Sequence, residues 1–131
     1  MNAADIQKAL GQRLAATPNL GAIVWPNKDA NLPELPYIVI DFVPTSRSDA
    51  TLGGSATVEN GFVMISVVSD LDTFATDGLT MAQAITDQFP MTLRLPITGA
   101  TVLIVKPSEI KQGYRDGVHW RTPVQITYRA S

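Results

Sequence analysis

The chain has 131 residues, 45% of them hydrophobic and 17% charged, with a formal net charge of −2 and no cysteine. That length gives one domain with a real core, able to bury roughly two thirds of its unfolded surface. A disulfide framework and a thiolate metal site are excluded, as is a transmembrane helix, since no apolar run approaches the required ~18 residues.

Asn2 to Ala16 reads as a helix, with Asn2 as its N-cap and Asp5 near the positive end of the dipole. Ile6, Leu10 and Leu14 lie four apart and form a narrow apolar stripe. The N-terminus lacks the basic region of a signal peptide, so synthesis in the cytosol is expected. Gly21 to Trp25 is a short strand closed by Pro26, and Asn27 to Pro36 is a loop held extended by Pro33 and Pro36. Tyr37 to Val43 alternates, with Ile38, Ile40 and Phe42 on one face and Tyr37, Val39, Asp41 and Val43 on the other. Asp41, a carboxylate in mid-strand, is expected to be exposed.

Pro44 to Asn60 is small, polar and glycine-containing. It reads as a long β-hairpin arm joining Tyr37–Val43 to an antiparallel Phe62–Val68, with a mobile tip near Arg47–Gly54. A tight turn at Asn60-Gly61, with a separate strand before it, is an open alternative. Gly61 to Val68 is almost uninterrupted apolar and β-branched, so a strand buried on most of both faces is predicted, followed by a polar turn over Ser69–Thr73. From Asp77 to Phe89, Met81, Ala82, Ile85 and Phe89 recur at helical spacing, with Gln83, Asp87 and Gln88 off the stripe. Pro90 stops that helix. Met91 to Leu95 is extended and ends at Pro96, Thr98-Gly99 is a turn, and Ala100 to Val105 is a buried-type strand. Glu109 to Tyr114 reads as a strand, turned at Asp116-Gly117 into a last strand in which Trp120, Thr122, Val124, Ile126 and Tyr128 share a face. Pro123 places that strand at an edge or a bulge. These pieces predict a single two-layer α+β domain: a mixed, mainly antiparallel sheet packed by two helices, with a long hairpin arm.

Motifs that carry chemistry are scarce in the chain. No nucleophile elbow or phosphate loop is present, and Gly53-Gly54 stands without a suitably placed lysine. The aspartates from Asp70 onward miss the calcium-loop pattern, with Phe74, Ala75 and Met81 at the fifth, sixth and twelfth positions. Turn and helix-capping work accounts for them. His119 is the single histidine, so a histidine metal site or triad lacks partners, and an interface role is the ordinary one. Arg115, His119, Arg121 and Arg129 are too thin a basic face for sequence-specific nucleic-acid binding. No enzyme activity, cofactor or metal is therefore expected. Charge is unevenly placed: residues 1–93 carry four Lys and Arg against ten acids, a net of −6, and residues 94–131 carry six against two, a net of +4. Such asymmetry permits head-to-tail attraction between copies.

The order of pieces is an N-terminal helix, a proline-flanked loop, Pro36-Tyr-Ile-Val-Ile-Asp-Phe42, a polar arm, Gly61-Phe-Val-Met-Ile-Ser-Val67, the helix Ala82–Phe89 and Trp120-Arg-Thr-Pro-Val-Gln-Ile-Thr-Tyr-Arg129. From end to end it resembles the small tail terminator proteins of long-tailed bacteriophages, including the lambda-type terminator and relatives in prophages and gene transfer agents. The resemblance implies one terminator-like domain over residues 1–131 that forms a hexameric ring on the head-proximal end of the tail tube. Such a ring stops tube growth and offers a joint to the neck, with DNA passing through it. It also implies a virion protein at the tail–neck junction, assembled in the bacterial cytoplasm and touching tube protein on one face and neck protein on the other. No catalytic residue carries over. The matching interface positions are Arg47 and Asp49 on the arm, and Arg115, His119 and Arg121 around the last strand. Another neck or tail-completion protein is the alternative within phage assembly. A small ligand-binding α+β domain, or an enzyme with unmarked acids, is the alternative outside it.

Overall fold

The computed structural model describes residues 3–18, 22–25, 36–49, 57–71 and 75–131. Two helices and eight strands follow in the order α1 (Ala3–Ala15), β1 (Ala22–Val24), β2 (Tyr37–Asp49), β3 (Thr57–Asp70), α2 (Ala75–Gln88), β4 (Arg94–Ile97), β5 (Ala100–Ile104), β6 (Glu109–Ile110), β7 (Tyr114–Asp116) and β8 (His119–Ala130). The strands form one sheet ordered β1-β2-β3-β8-β5-β4, with β6 and β7 also pairing with β8. Among the described residues only β1 on β2 is parallel. The α+β class, the mainly antiparallel sheet and the hairpin arm are as the sequence predicts.

Register explains the core. Ile38 pairs with Val67 and Ile40 with Ile65, while Val63 and Ile65 pair in turn with Ile126 and Val124. Val102 and Ile104 pair with Ala130 and Tyr128. Side chains directly opposite one another point to one side of a sheet, so these residues make a single apolar face. Onto it α1 lays Ile6, Leu10 and Leu14, and α2 lays Ala82 and Ile85 with Phe89 just beyond its end; all are at most 1% exposed. The two helices are fastened reciprocally: Arg13 Nε donates to the Gln88 carbonyl at 2.9 Å, and Gln88 Nε2 donates to the Arg13 carbonyl at 3.0 Å. Gln88 is thus half-buried at a helix contact rather than facing solvent off the stripe.

The described part of the arm is a pair of antiparallel strands. β2 runs unbroken to Asp49 and β3 from Thr57, so Asn60 and Gly61 lie inside a strand and not in a turn. A register shift at Pro44–Ser46 marks a bulge at the arm's base. Gly61 is there for closeness: a Cβ would stand 2.6 Å from the Tyr128 hydroxyl and 2.8 Å from the Val43 carbonyl. Asp41 is exposed, as its position predicts. The expected cap Asn2, the loop residues 27–35 and the arm tip 50–56 lie outside the described residues, whereas Arg47 to Asp49 are strand.

Several boundaries differ from the sequence expectation: α2 begins at Ala75 rather than Asp77, and β4 at Arg94 rather than Met91. β3 continues through Ser69 and Asp70, because both pair with β8. β4 passes through Pro96 instead of ending before it. Pro96 sits opposite Thr101, whose N–H and carbonyl are engaged with Ser131, so the proline's missing donor falls on the open edge and costs no ladder bond. The stretch Glu109–Tyr114 is divided. Ile110 pairs with Val124 and Tyr114 with Arg121, three intervening residues facing two, so one extra residue bulges there. Pro123 lies opposite that bulge in an otherwise interior strand, which accommodates a residue without an N–H.

Candidate functional site

The polar residues singled out in the sequence fall into two groups at opposite ends of the sheet. On the arm, Arg47 lies opposite Glu59, with Nε 3.6 Å from Oε1, and its side chain is 64% exposed. Asp49 closes the described part of β2 and accepts a hydrogen bond from the Thr57 hydroxyl at 3.4 Å. Asn60 Nδ2 donates to the Ser46 hydroxyl at 3.3 Å. The arm is therefore laced by cross-strand polar pairs, each worth a few tenths to 1 kcal/mol (roughly) at an exposed position. Charges and a bulge along a free strand edge also discourage random strand addition.

The other group surrounds the β7–β8 hairpin. Gly117 and Val118 form its two-residue loop, with Gly117 at φ 61°, where a left-handed first position requires glycine. That tight register puts His119 opposite Asp116 on one side and opposite Asp70 on the other. Arg121 Nε lies 2.6 Å from Asp116 Oδ2, an ion contact rather than an aligned hydrogen bond. The His119 ring meets Tyr37 edge-on at 6.5 Å, and its buried Nδ1 has no hydrogen-bond partner among the described residues. Arg115 pairs with Trp120 and so belongs to the opposite face, where its Nε donates to the Gly117 carbonyl at 3.1 Å. The structure thus brings His119 and Arg121 together and turns Arg115 away. Arg47 lies ten residues along β2 from Tyr37, roughly 30 Å away at the usual strand rise.

Sequence reasoning assigned Asp116 to a turn and missed it as the counter-ion of Arg121. The signal was the five-residue spacing across a two-residue loop, which forces the two positions onto one face. It also missed Glu109, an exposed carboxylate between two lysines: Lys111 and Lys106 both contact it and hold its pKa near 2. An open groove of about 470 Å³ runs along α1, lined by Gln7, Lys8, Gly11, Gln12, Trp25 and Phe42. None of these arrangements places a nucleophile beside a base. Apolar surface with charge at its rim is the make-up of a protein–protein contact.

The family profile described as phage tail terminator protein matches residues 5–128. No curated protein sequence matches. One solved chain, 20% identical, is covered over 96% of its length and covers 100% of this one with a TM-score of 0.81. A chain from the virion of a native gene transfer agent particle is 19% identical, covering 98% of this chain and 94% of its own, with a TM-score of 0.68. These two likenesses show a shared fold. With the match spanning both helices and nearly all of the sheet, this chain belongs to the phage tail terminator family, a family of structural proteins of the phage tail.

Proposed function

We propose that residues 1–131 act as one domain that forms a hexameric ring on the head-proximal end of a tail tube, ends its polymerisation and joins the tail to the neck. The family match over residues 5–128 carries this reading. The ring works without chemistry. It needs one surface that accepts the last tube ring and another that refuses a further one, and refusal is as much a matter of unpaired charge as of shape. The arm and the β7–β8 hairpin, at the two ends of the sheet, are the surfaces assigned to those junctions. The tail–neck junction of the virion is the site of action, after assembly in the bacterial cytoplasm. Tube protein lies on one side and neck protein on the other, with DNA passing through.

Deleting the gene tests this directly. The expected result, by electron microscopy, is overlong tails unattached to heads. Tails of normal length joined normally to heads would overturn the reading.

A further inference from the structure

The sheet has two faces, and among the described residues the helices cover one. On the other face the register aligns Val43 with Phe62 and Thr127, and the next row runs Asn60, Arg129, Leu103, Arg94. Near β7 this face is closed, with Tyr37 and Val68 buried. Toward the arm it opens: Val43 is 36% exposed, and Phe62, Met64 and Leu103 are only half-buried. Arg94 and Arg129 rim the open part, both exposed and with no acidic partner among the described residues. A bare apolar sheet face calls for a second layer.

The outward side of α2 has the matching character. Leu79 is 43% exposed, at the edge of a shallow depression of about 450 Å³ that also takes in Gln83, Ala84 and Asp87. Asp87 is exposed and accepts a hydrogen bond from the side-chain amide of Gln83 on the same helix, at 2.8 Å, with no cationic partner among the described residues. One patch is apolar with two free cations; the other is apolar with a free anion. They lie on opposite layers of the same subunit, one on the helices and one on the bare sheet.

We propose that the outer face of α2 on one copy packs against the open sheet face of the next, Leu79 onto Val43 and Phe62, with Asp87 facing Arg94 and Arg129. This rests on the ring reading and specifies its subunit contact. Two different patches meeting head to tail are what a closed ring requires, because a self-complementary patch would stop at a dimer. Each sheet then gains a helix layer on both faces, and opposite charge fixes the register. A second copy is favoured over another protein because this chain supplies both halves.

The absence of cysteine gives a clean background for the test. The double variant Val43→Cys/Leu79→Cys, oxidised as the assembled ring, should form a covalent ladder up to a closed hexamer, while each single variant should stay uncrosslinked. Separately, Asp87→Lys and Arg129→Glu should each weaken ring assembly at least about tenfold, and combining them should recover most of it. A ring seen by native mass spectrometry that gives no ladder, or a single variant that crosslinks to itself, overturns this contact and leaves the ring standing. A chain that stays monomeric both alone and on tail tubes overturns the ring reading and the contact with it.

Discussion

Thr92 has φ 74°, a left-handed conformation that a β-branched residue rarely adopts. It holds this shape because its N–H donates to the Ile104 carbonyl at 2.8 Å, while the Ile104 N–H donates to the Leu93 carbonyl at 3.0 Å. That pattern is a bulge whose first residue is usually glycine. Left-handed strain costs about 1–3 kcal/mol, whereas glycine adds about 0.5–1 kcal/mol of unfolded-state entropy. Thr92→Gly should therefore leave stability unchanged or raise it by up to about 2.5 kcal/mol, while Thr101→Gly in β5 should lose about 0.5–1 kcal/mol. Equal losses in denaturant melts would contradict this. Gly61 is the opposite case, since Ala there meets the Tyr128 hydroxyl and a carbonyl; a loss of about 1–3 kcal/mol is expected. Glu109 offers a titration. Its carboxyl is lowered from 4.5 to about 2, first by the Lys111 hydrogen bond and then by Lys106. Because the folded value is depressed, its stabilising contribution is complete above 4.5 and disappears as pH falls through 2. Lys111→Ala should move the Glu109 side-chain titration, followed by NMR, upward toward 4.5; an unmoved titration would show that the lysine is not its cause.

At the scale of elements, α2 was the most readable part of the chain, because a stripe repeating every three to four residues reports burial directly. Ile85→Ala and Phe89→Ala should each cost about 2–5 kcal/mol, since both are at most 1% exposed. Gln88→Ala is less innocent than its place off the stripe implies. It removes the donor to the Arg13 carbonyl, so a loss of about 0.5–1.5 kcal/mol is expected, and Arg13→Ala should not add its full cost to it. Strictly additive losses in a double-mutant cycle would show that the two bonds are independent. This contact was invisible in the sequence because it joins positions 75 residues apart, and periodicity sees only neighbours. The arm was legible as a hairpin from its flanking strands. Its true strand length was not, because cross-strand pairs such as Arg47–Glu59 hold together residues whose own β-propensity is low. Pro96 and Pro123 were legible only as interruptions. Whether a proline ends a strand depends on which edge its missing N–H faces, and that is a property of the neighbours.

At the scale of the whole molecule, sequence supplied the residue types of the polar groups but not their separation. Arg47 and the β7–β8 hairpin share a basic character in the sequence, yet β2 carries one to the far end of the sheet from the other. On the proposed function, two surfaces roughly 30 Å apart at opposite ends of the sheet are assigned to different junctions. Charge reversal should then separate two defects that gene deletion merges. Arg47 is 64% exposed in a long ion contact, and Arg115 is exposed and bonded to a carbonyl on its own turn. Neither Arg47→Glu nor Arg115→Glu should change stability by more than about 0.5–1 kcal/mol, so the subunit should stay folded. In assembled particles one variant should lengthen tails by failing to cap the tube. The other should leave tail length normal and lower the fraction of tails joined to heads. The readout is the joint distribution of tail length and head attachment in electron micrographs. The same defect from both substitutions, in variants that melt like the natural chain, would show that the ends of the sheet do not divide the work between tube and neck.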